Sequence, residues 1–200
     1  MQNLSKDLIF NLGQYLSPIE ISRLSQVSSD FYYGLNKNHL WIYKLQHDFG
    51  ILYDFETSSK HGSPKSLYQY IYNKLKEPKT TAGLNKVLTD AITENDRDLF
   101  TACLHVGADP SYSSYLDAPN SCKAAILSEQ LHTLSYLLRI IPNITQDEIN
   151  YLFCMAAEQG YVPIVGFLLG SGADDIAGAL DSAEATGMDN VIDYLLKTTI

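Results

Sequence analysis

An all-α fold is what the sequence predicts, and three observations predict it. Apolar residues recur at helical spacing along most of the 200 residues. Glycine and proline are sparse, at 12 and 7, and few runs alternate apolar with polar residues as strands do. A hydrophobic share of 46% is enough to bury the core of one compact domain or two small ones.

Charge and cysteine usage narrow the function classes. A formal net charge of -9, with no lysine or arginine cluster to override it, repels a phosphate backbone and argues against nucleic acid as a partner. No segment approaches the roughly 18 consecutive apolar residues of a membrane span. The opening Met1-Gln2-Asn3-Leu4-Ser5-Lys6-Asp7 lacks a basic region followed by an apolar run, and the closing Lys197-Thr198-Thr199-Ile200 lacks a prenylation cysteine. An intracellular chain without a lipid anchor is expected. Cys103, Cys122 and Cys154 are odd in number and widely spaced, which fits neither a disulfide framework nor a zinc-binding pair and points to a reducing compartment.

Along the chain, Leu8, Ile9, Leu12, Tyr15 and Leu16 fall on one helical stripe. Ser17-Pro18-Ile19-Glu20 ends that helix and opens the next, with an N-cap serine, proline at the first helical position and glutamate closing a capping box. Ile21, Leu24 and Val27 line the second helix. Ser28-Ser29-Asp30-Phe31 is another cap-like opening, leading to a final helix that carries Leu40, Trp41, Leu45 and Phe49. Residues 1-50 thus form one module. Residues 51-83 read as a linker, polar from Glu56 to Gly62, with a helix opened by Ser63-Pro64 and ended by Glu77-Pro78. Its stripe of Leu67, Tyr68, Ile71, Tyr72 and Leu75 would bridge the modules on either side.

From residue 84 to 200 the chain repeats itself. The clearest copy runs Ala156-Ala157-Glu158-Gln159-Gly160, Ile164-Val165, Leu168-Leu169 and Gly172-Ala173-Asp174. Ala91-Ile92, Asn95, Leu99-Phe100, Cys103-Leu104 and Gly107-Ala108-Asp109 give the same order at a constant offset of 65. Ala125-Ile126 with Leu134 and Leu137-Leu138 supplies a middle copy, and Ala183, Gly187, Val191-Ile192 and Leu195-Leu196 a fourth. Leu88, Cys122, Phe153 and Leu180 each precede an alanine by three residues, on the same helical face. Each unit is therefore two short helices whose core only a stacked neighbour can close. Short connections are expected near residues 174-179, with the last copy serving as a cap.

These copies resemble degenerate ankyrin repeats, about four of them, although none carries the family's Thr-Pro-Leu-His opening. The order Leu4, Asp7-Leu8-Ile9, Tyr15-Leu16-Ser17, Ile21, Leu24, Val27-Ser28, Phe31 and Leu40-Trp41 resembles an F-box, with Ser5 where the family usually has proline. That resemblance implies docking on the Skp-type adaptor of an SCF (cullin-RING) ubiquitin ligase. The expected docking residues are Leu4, Leu8, Ile9, Leu12, Leu16, Ile21, Leu24 and Val27, because about 45 residues in three small helices rarely bury their own apolar surface. The repeats would hold a target protein, with Tyr112 and Tyr115, in the connection after the first Gly-Ala-Asp, as candidate contacts. The combination is similar to effectors that intracellular bacteria such as Legionella deliver into the cytoplasm of eukaryotic hosts.

No catalytic residue, metal site or cofactor is expected. The five histidines show no metalloprotease spacing, and the glycines of Gly170-Ser171-Gly172 sit at a repeat turn with no following Lys-Ser/Thr. Two rivals stay open: an ankyrin scaffold with no ligase link, and an enzyme that uses one of the three thiols.

Overall fold

The computed structural model describes residues 6-27, 29-54, 61-78, 80-114 and 118-198. Among them are thirteen helices and no strand: α1 (Lys6–Gln14), α2 (Pro18–Val27), α3 (Ser29–Leu35), α4 (Asn38–Phe49), α5 (Pro64–Leu75), α6 (Thr81–Thr93), α7 (Arg97–His105), α8 (Asn120–Leu127), α9 (Leu131–Ile140), α10 (Gln146–Glu158), α11 (Val162–Gly170), α12 (Ile176–Thr186) and α13 (Asp189–Thr198). They divide into two compact units, residues 1-80 with 98-107, and residues 81-97 with 108-200. Most of α7, the second helix of the first copy, groups with the first unit.

In the first unit the turn from α1 to α2 is fixed by the capping box. Ser17 N donates to the Glu20 carboxylate at 2.8 Å, and Glu20 N donates to Ser17 Oγ at 3.3 Å. The stretch expected as one final helix divides instead into α3 and α4. Gly34 and Asn36 are poor helix formers. Asn36 closes α3 by donating its backbone N–H and its side-chain Nδ2 to the Tyr32 carbonyl, at 3.2 and 2.8 Å. α5 opens as expected, with Ser63 Oγ accepting from Ser66 N at 3.2 Å. Its Leu67, Tyr68 and Ile71 share one core with Trp41, Leu45 and Phe49 of α4, Ile9 and Ile21 of α1 and α2, and Ala102 of α7. Each large side chain so buried contributes about 1.5–3 kcal/mol.

Two glycines let α1 settle onto α3 and α4. A Cβ on Gly34 would stand 2.5 Å from Ile9 Cγ2, and one on Gly13 would stand 2.6 Å from Leu35 Cδ2. Those separations are below van der Waals contact, so any larger residue must displace Ile9 at Gly34 or the Leu35 and Leu40 side chains at Gly13.

In the second unit α6, α8, α10 and α12 form a row, each packed on the next, and α11 packs on α13. Ala91, Ala125, Ala156 and Ala183 are all fully buried within this row. Four residues after each alanine the backbone turns left-handed, at Asn95 (φ 53°), Glu129 (φ 54°), Gly160 (φ 76°) and Gly187 (φ 73°). The next residue then donates to the alanine's own carbonyl: Asp96 to Ala91 at 2.8 Å, Gln130 to Ala125 at 2.8 Å, Tyr161 to Ala156 at 3.1 Å and Met188 to Ala183 at 2.8 Å. These are Schellman closures, and their recurrence establishes four copies in one register.

Side chains then tie copy to copy. Gln130 Nε2 donates to the Ile92 carbonyl, Thr186 Oγ1 to the Glu158 carbonyl at 3.1 Å, and Asn190 Nδ2 to the Gly160 carbonyl at 2.9 Å. A clamp also recurs at the 65-residue offset. Asn85 Oδ1 accepts from Asp109 N at 2.8 Å, and Asn150 Oδ1 accepts from Asp174 N at 3.0 Å, so each Gly-Ala-Asp is held by an asparagine of α6 or α10. The short connection expected near 174-179 is present: α12 starts at Ile176, with Asp175 Oδ1 accepting from Gly178 N at 3.0 Å.

Two tests follow from the backbone. Gly34→Ala should destabilise the first unit by about 1–3 kcal/mol through overpacking against Ile9, read from the denaturant midpoint of Trp41 fluorescence, since that core holds the sole tryptophan. Glu129→Gly should stabilise the second unit by about 1 kcal/mol by relieving a left-handed side chain. Gly187→Ala, where a Cβ meets nothing within 4 Å, should destabilise it by a similar amount through strain alone. Far-ultraviolet circular dichroism melts give both signs, and equal midpoints would refute the assignment.

Candidate protein-binding surface

The apolar stripe of α1 splits between interior and solvent. Ile9 is 1% exposed and Ile21 2% exposed, both locked into the first unit's core. They are a correction to the expected docking set, because a side chain that the module itself encloses offers nothing to a partner. Leu16 and Leu24 are half-buried against the same core. Leu8 (53% exposed), Leu12 and Val27 (77% exposed) face outward. Leu4 lies outside the described residues.

Sequence reasoning passed over several neighbours of these three. Tyr15, in the turn that follows α1, is 87% exposed. Ile19 on α2 and the edge-to-face pair Tyr32 and Tyr33 on α3 are also exposed. α3 packs against both α1 and α2. Exposed aromatic and aliphatic side chains gathered on three adjacent helices are the composition of a protein contact surface. The signal that separates them from core is visible only once the close approach at Gly13 and Gly34 turns Ile9 inward.

Behind this surface a polar network anchors the C-terminal end of α1. Lys44, buried, donates to the Gln14 carbonyl at 3.3 Å and pairs with Asp48 at 3.0 Å. Its ammonium lies 5.4 Å from the centroid of the Tyr68 ring. Tyr68 OH in turn donates to Asp48 at 2.6 Å. Burial works to raise the Asp48 pKa, but hydrogen bonds from Tyr68, His47 and Lys44, with the charge of Lys44, outweigh it and hold the carboxyl below its ordinary value. Burial, reinforced by Asp48, pushes the Tyr68 hydroxyl upward, so it stays a donor.

In the second unit Tyr112 is exposed, with its carbonyl accepting from Asn120 N at 2.9 Å. Tyr115 lies outside the described residues. Cys103 is fully buried, and burial pushes the Cys122 thiol up to about 12 and also raises that of Cys154. Among the described residues no three His, Cys, Asp or Glu side chains gather as they would around a metal ion, and no helix is long and apolar enough to cross a membrane.

No protein-family model matches this chain, and no curated protein is significantly similar to it.

The Asp48 network makes a signed pH prediction. Its folded pKa is depressed, so its stabilisation is complete above the ordinary value of 3.8 and is lost as pH falls through the lower folded value. Asp48→Asn should lower the stability of the first unit at neutral pH and flatten its acid limb, measured by Trp41 fluorescence in denaturant at stepped pH. An unchanged acid limb would remove Asp48 as its source.

Proposed function

We propose that this chain is a non-enzymatic adaptor whose first unit docks on the Skp-type subunit of an SCF ubiquitin ligase and whose stacked helix pairs hold a target protein. One observation carries the proposal: Leu8 and Leu12 of α1, and Tyr15 just after it, stand exposed although the module has a closed core of its own. Side chains of this kind are costly to leave in water and gain from being covered. The F-box resemblance of residues 4-41 names the cover. The ankyrin resemblance of residues 84-198 gives the second unit its role, since a stack of helix pairs offers an extended surface without catalytic groups. Ubiquitin transfer would then follow from proximity, the target being held near the ligase's own active centre. SCF ligases operate in eukaryotic cells, so the chain would work there, delivered by a bacterium as effectors of this combination are.

Co-expression of the full chain with a Skp-type adaptor, followed by affinity capture, tests the docking. The wild-type chain should retain the adaptor. Leu8→Asp with Leu12→Asp should weaken retention by at least about tenfold, as expected when charge is buried in an apolar contact, while Trp41 fluorescence stays native. Failure of the wild-type chain to bind would leave the scaffold reading in its place.

A further inference from the structure

We propose that the exposed apolar face of the first unit pairs with the same face of a second copy of this chain, so that the free protein shelters its own docking surface. The pairing stands on area and charge. Its consequence, regulation of the docking site, rests on the adaptor reading.

Pairing needs a surface of the right size. Leu8 and Leu12 of α1, Tyr15 just beyond it, Ile19 and Val27 of α2 and Tyr33 of α3 are each between 43% and 87% exposed. α3 packs against both α1 and α2, so these side chains belong to one small bundle. An aromatic side chain covers roughly 150–250 Å² and an aliphatic one about half of that, so the six leave on the order of 500 Å² of apolar surface in water. A stable contact takes about 800 Å² from each partner, a little over half of it apolar. The face therefore matches what one subunit of a dimer supplies.

Charge selects a second copy as the occupant. Among the described side chains of α1, α2 and α3 the charged ones are Glu20 and Arg23, one of each sign, both exposed and three residues apart on α2. Arg23 also stands four residues from Ile19 and four from Val27, so it is set within the apolar face. A two-fold axis brings a surface against its own copy, where residue i meets j and j meets i. On such an axis apolar side chains meet apolar ones, and Glu20 of each copy complements Arg23 of the other. The first unit holds nine basic and eight acidic residues, so two of them approach without net repulsion. The second unit, with five basic and fifteen acidic, repels its like, which leaves the first unit as the place where two copies meet. A strongly charged partner finds no complement on this face. A chain so paired has Leu8 and Leu12 covered, and the ligase adaptor would have to displace the second copy, which makes docking depend on chain concentration.

The test uses the full chain alone. Sedimentation equilibrium between about 1 and about 100 μM should show the mass rise from one chain toward two. Tyr15→Ser, outside both helix and core, should weaken pairing at least about fivefold, while Tyr136→Ser, an exposed tyrosine of α9 in the second unit, should change it less than about twofold. Arg23→Glu should weaken pairing at least about fivefold by setting like charges across the axis. Glu20→Gln keeps the capping box but removes the charge, so Arg23→Glu added to it should cost less than about twofold. Circular dichroism and Trp41 fluorescence check that each variant is folded. A single mass at every concentration, equal weakening by Tyr15→Ser and Tyr136→Ser, or the same loss from Arg23→Glu in both backgrounds overturns the proposal. Because no adaptor is present, such a failure is distinct from failure of the adaptor to bind.

Discussion

In each helix pair of the stack the chain must reverse within a few residues, and the rest of the second unit depends on how it does so. A left-handed residue four positions after Ala91, Ala125, Ala156 and Ala183 lets the following N–H close on that alanine's carbonyl. This closure fixes the direction in which the second helix leaves, and with it the face that each first helix presents to its neighbour. Alanine suits that face because its small side chain lets adjacent helices come close. Pairs of this size cannot enclose a core alone, so the closure must be repeated in register for any copy to be stable. The side-chain links from Gln130, Thr186 and Asn190 to carbonyls of the preceding turn keep that register.

The first unit solves a different problem with the opposite device. Its helices are short and their connections shorter, so one must lie almost against another to enclose Trp41 and its neighbours. Gly13 and Gly34 permit that approach. Once α1 lies there, Ile9 is enclosed, while Leu8 and Leu12, to one side of it on the helix, and Tyr15, just past the helix end, stay exposed. The exposed stripe is thus a consequence of how the core is closed. Lys44 and Asp48 reinforce the same placement by holding the Gln14 carbonyl at the end of α1.

Features decided within a few residues were legible in the sequence. Ser17 with Glu20 and Ser63 with Ser66 announce their helix starts locally, and Thr145 with Glu148 forms a further capping box of the same spacing. The repeat alanines were legible because a stack must reuse one solution. Glu129 was not, because nothing in a glutamate advertises a left-handed backbone. The requirement comes from the copies on either side, where Asn95 and Gly160 hold the same position. Asn85 and Asn150 could have been found, since the 65-residue offset that relates the two Gly-Ala-Asp triplets relates them as well. The division between Leu8 and Ile9 could not, because both satisfy the helical stripe and only tertiary contact with Gly34 distinguishes them. The break between α3 and α4 lay in Gly34 and Asn36, whose weak helix preference was outweighed by the apolar residues around them.

The two units also differ in the physics available to a partner. The first is nearly neutral and exposes aliphatic and aromatic side chains, so contact with it would be driven by removal of apolar area from water and would respond little to salt. The second holds fifteen of the chain's 23 acidic residues and five of its 14 basic ones, so contact with it would feel a long-range negative potential and would respond more strongly. On the adaptor reading proposed above, this separation would keep either surface from competing for the other's ligand. On the adaptor reading, the composition that repels phosphate backbones would also help keep two binding surfaces distinct within 200 residues.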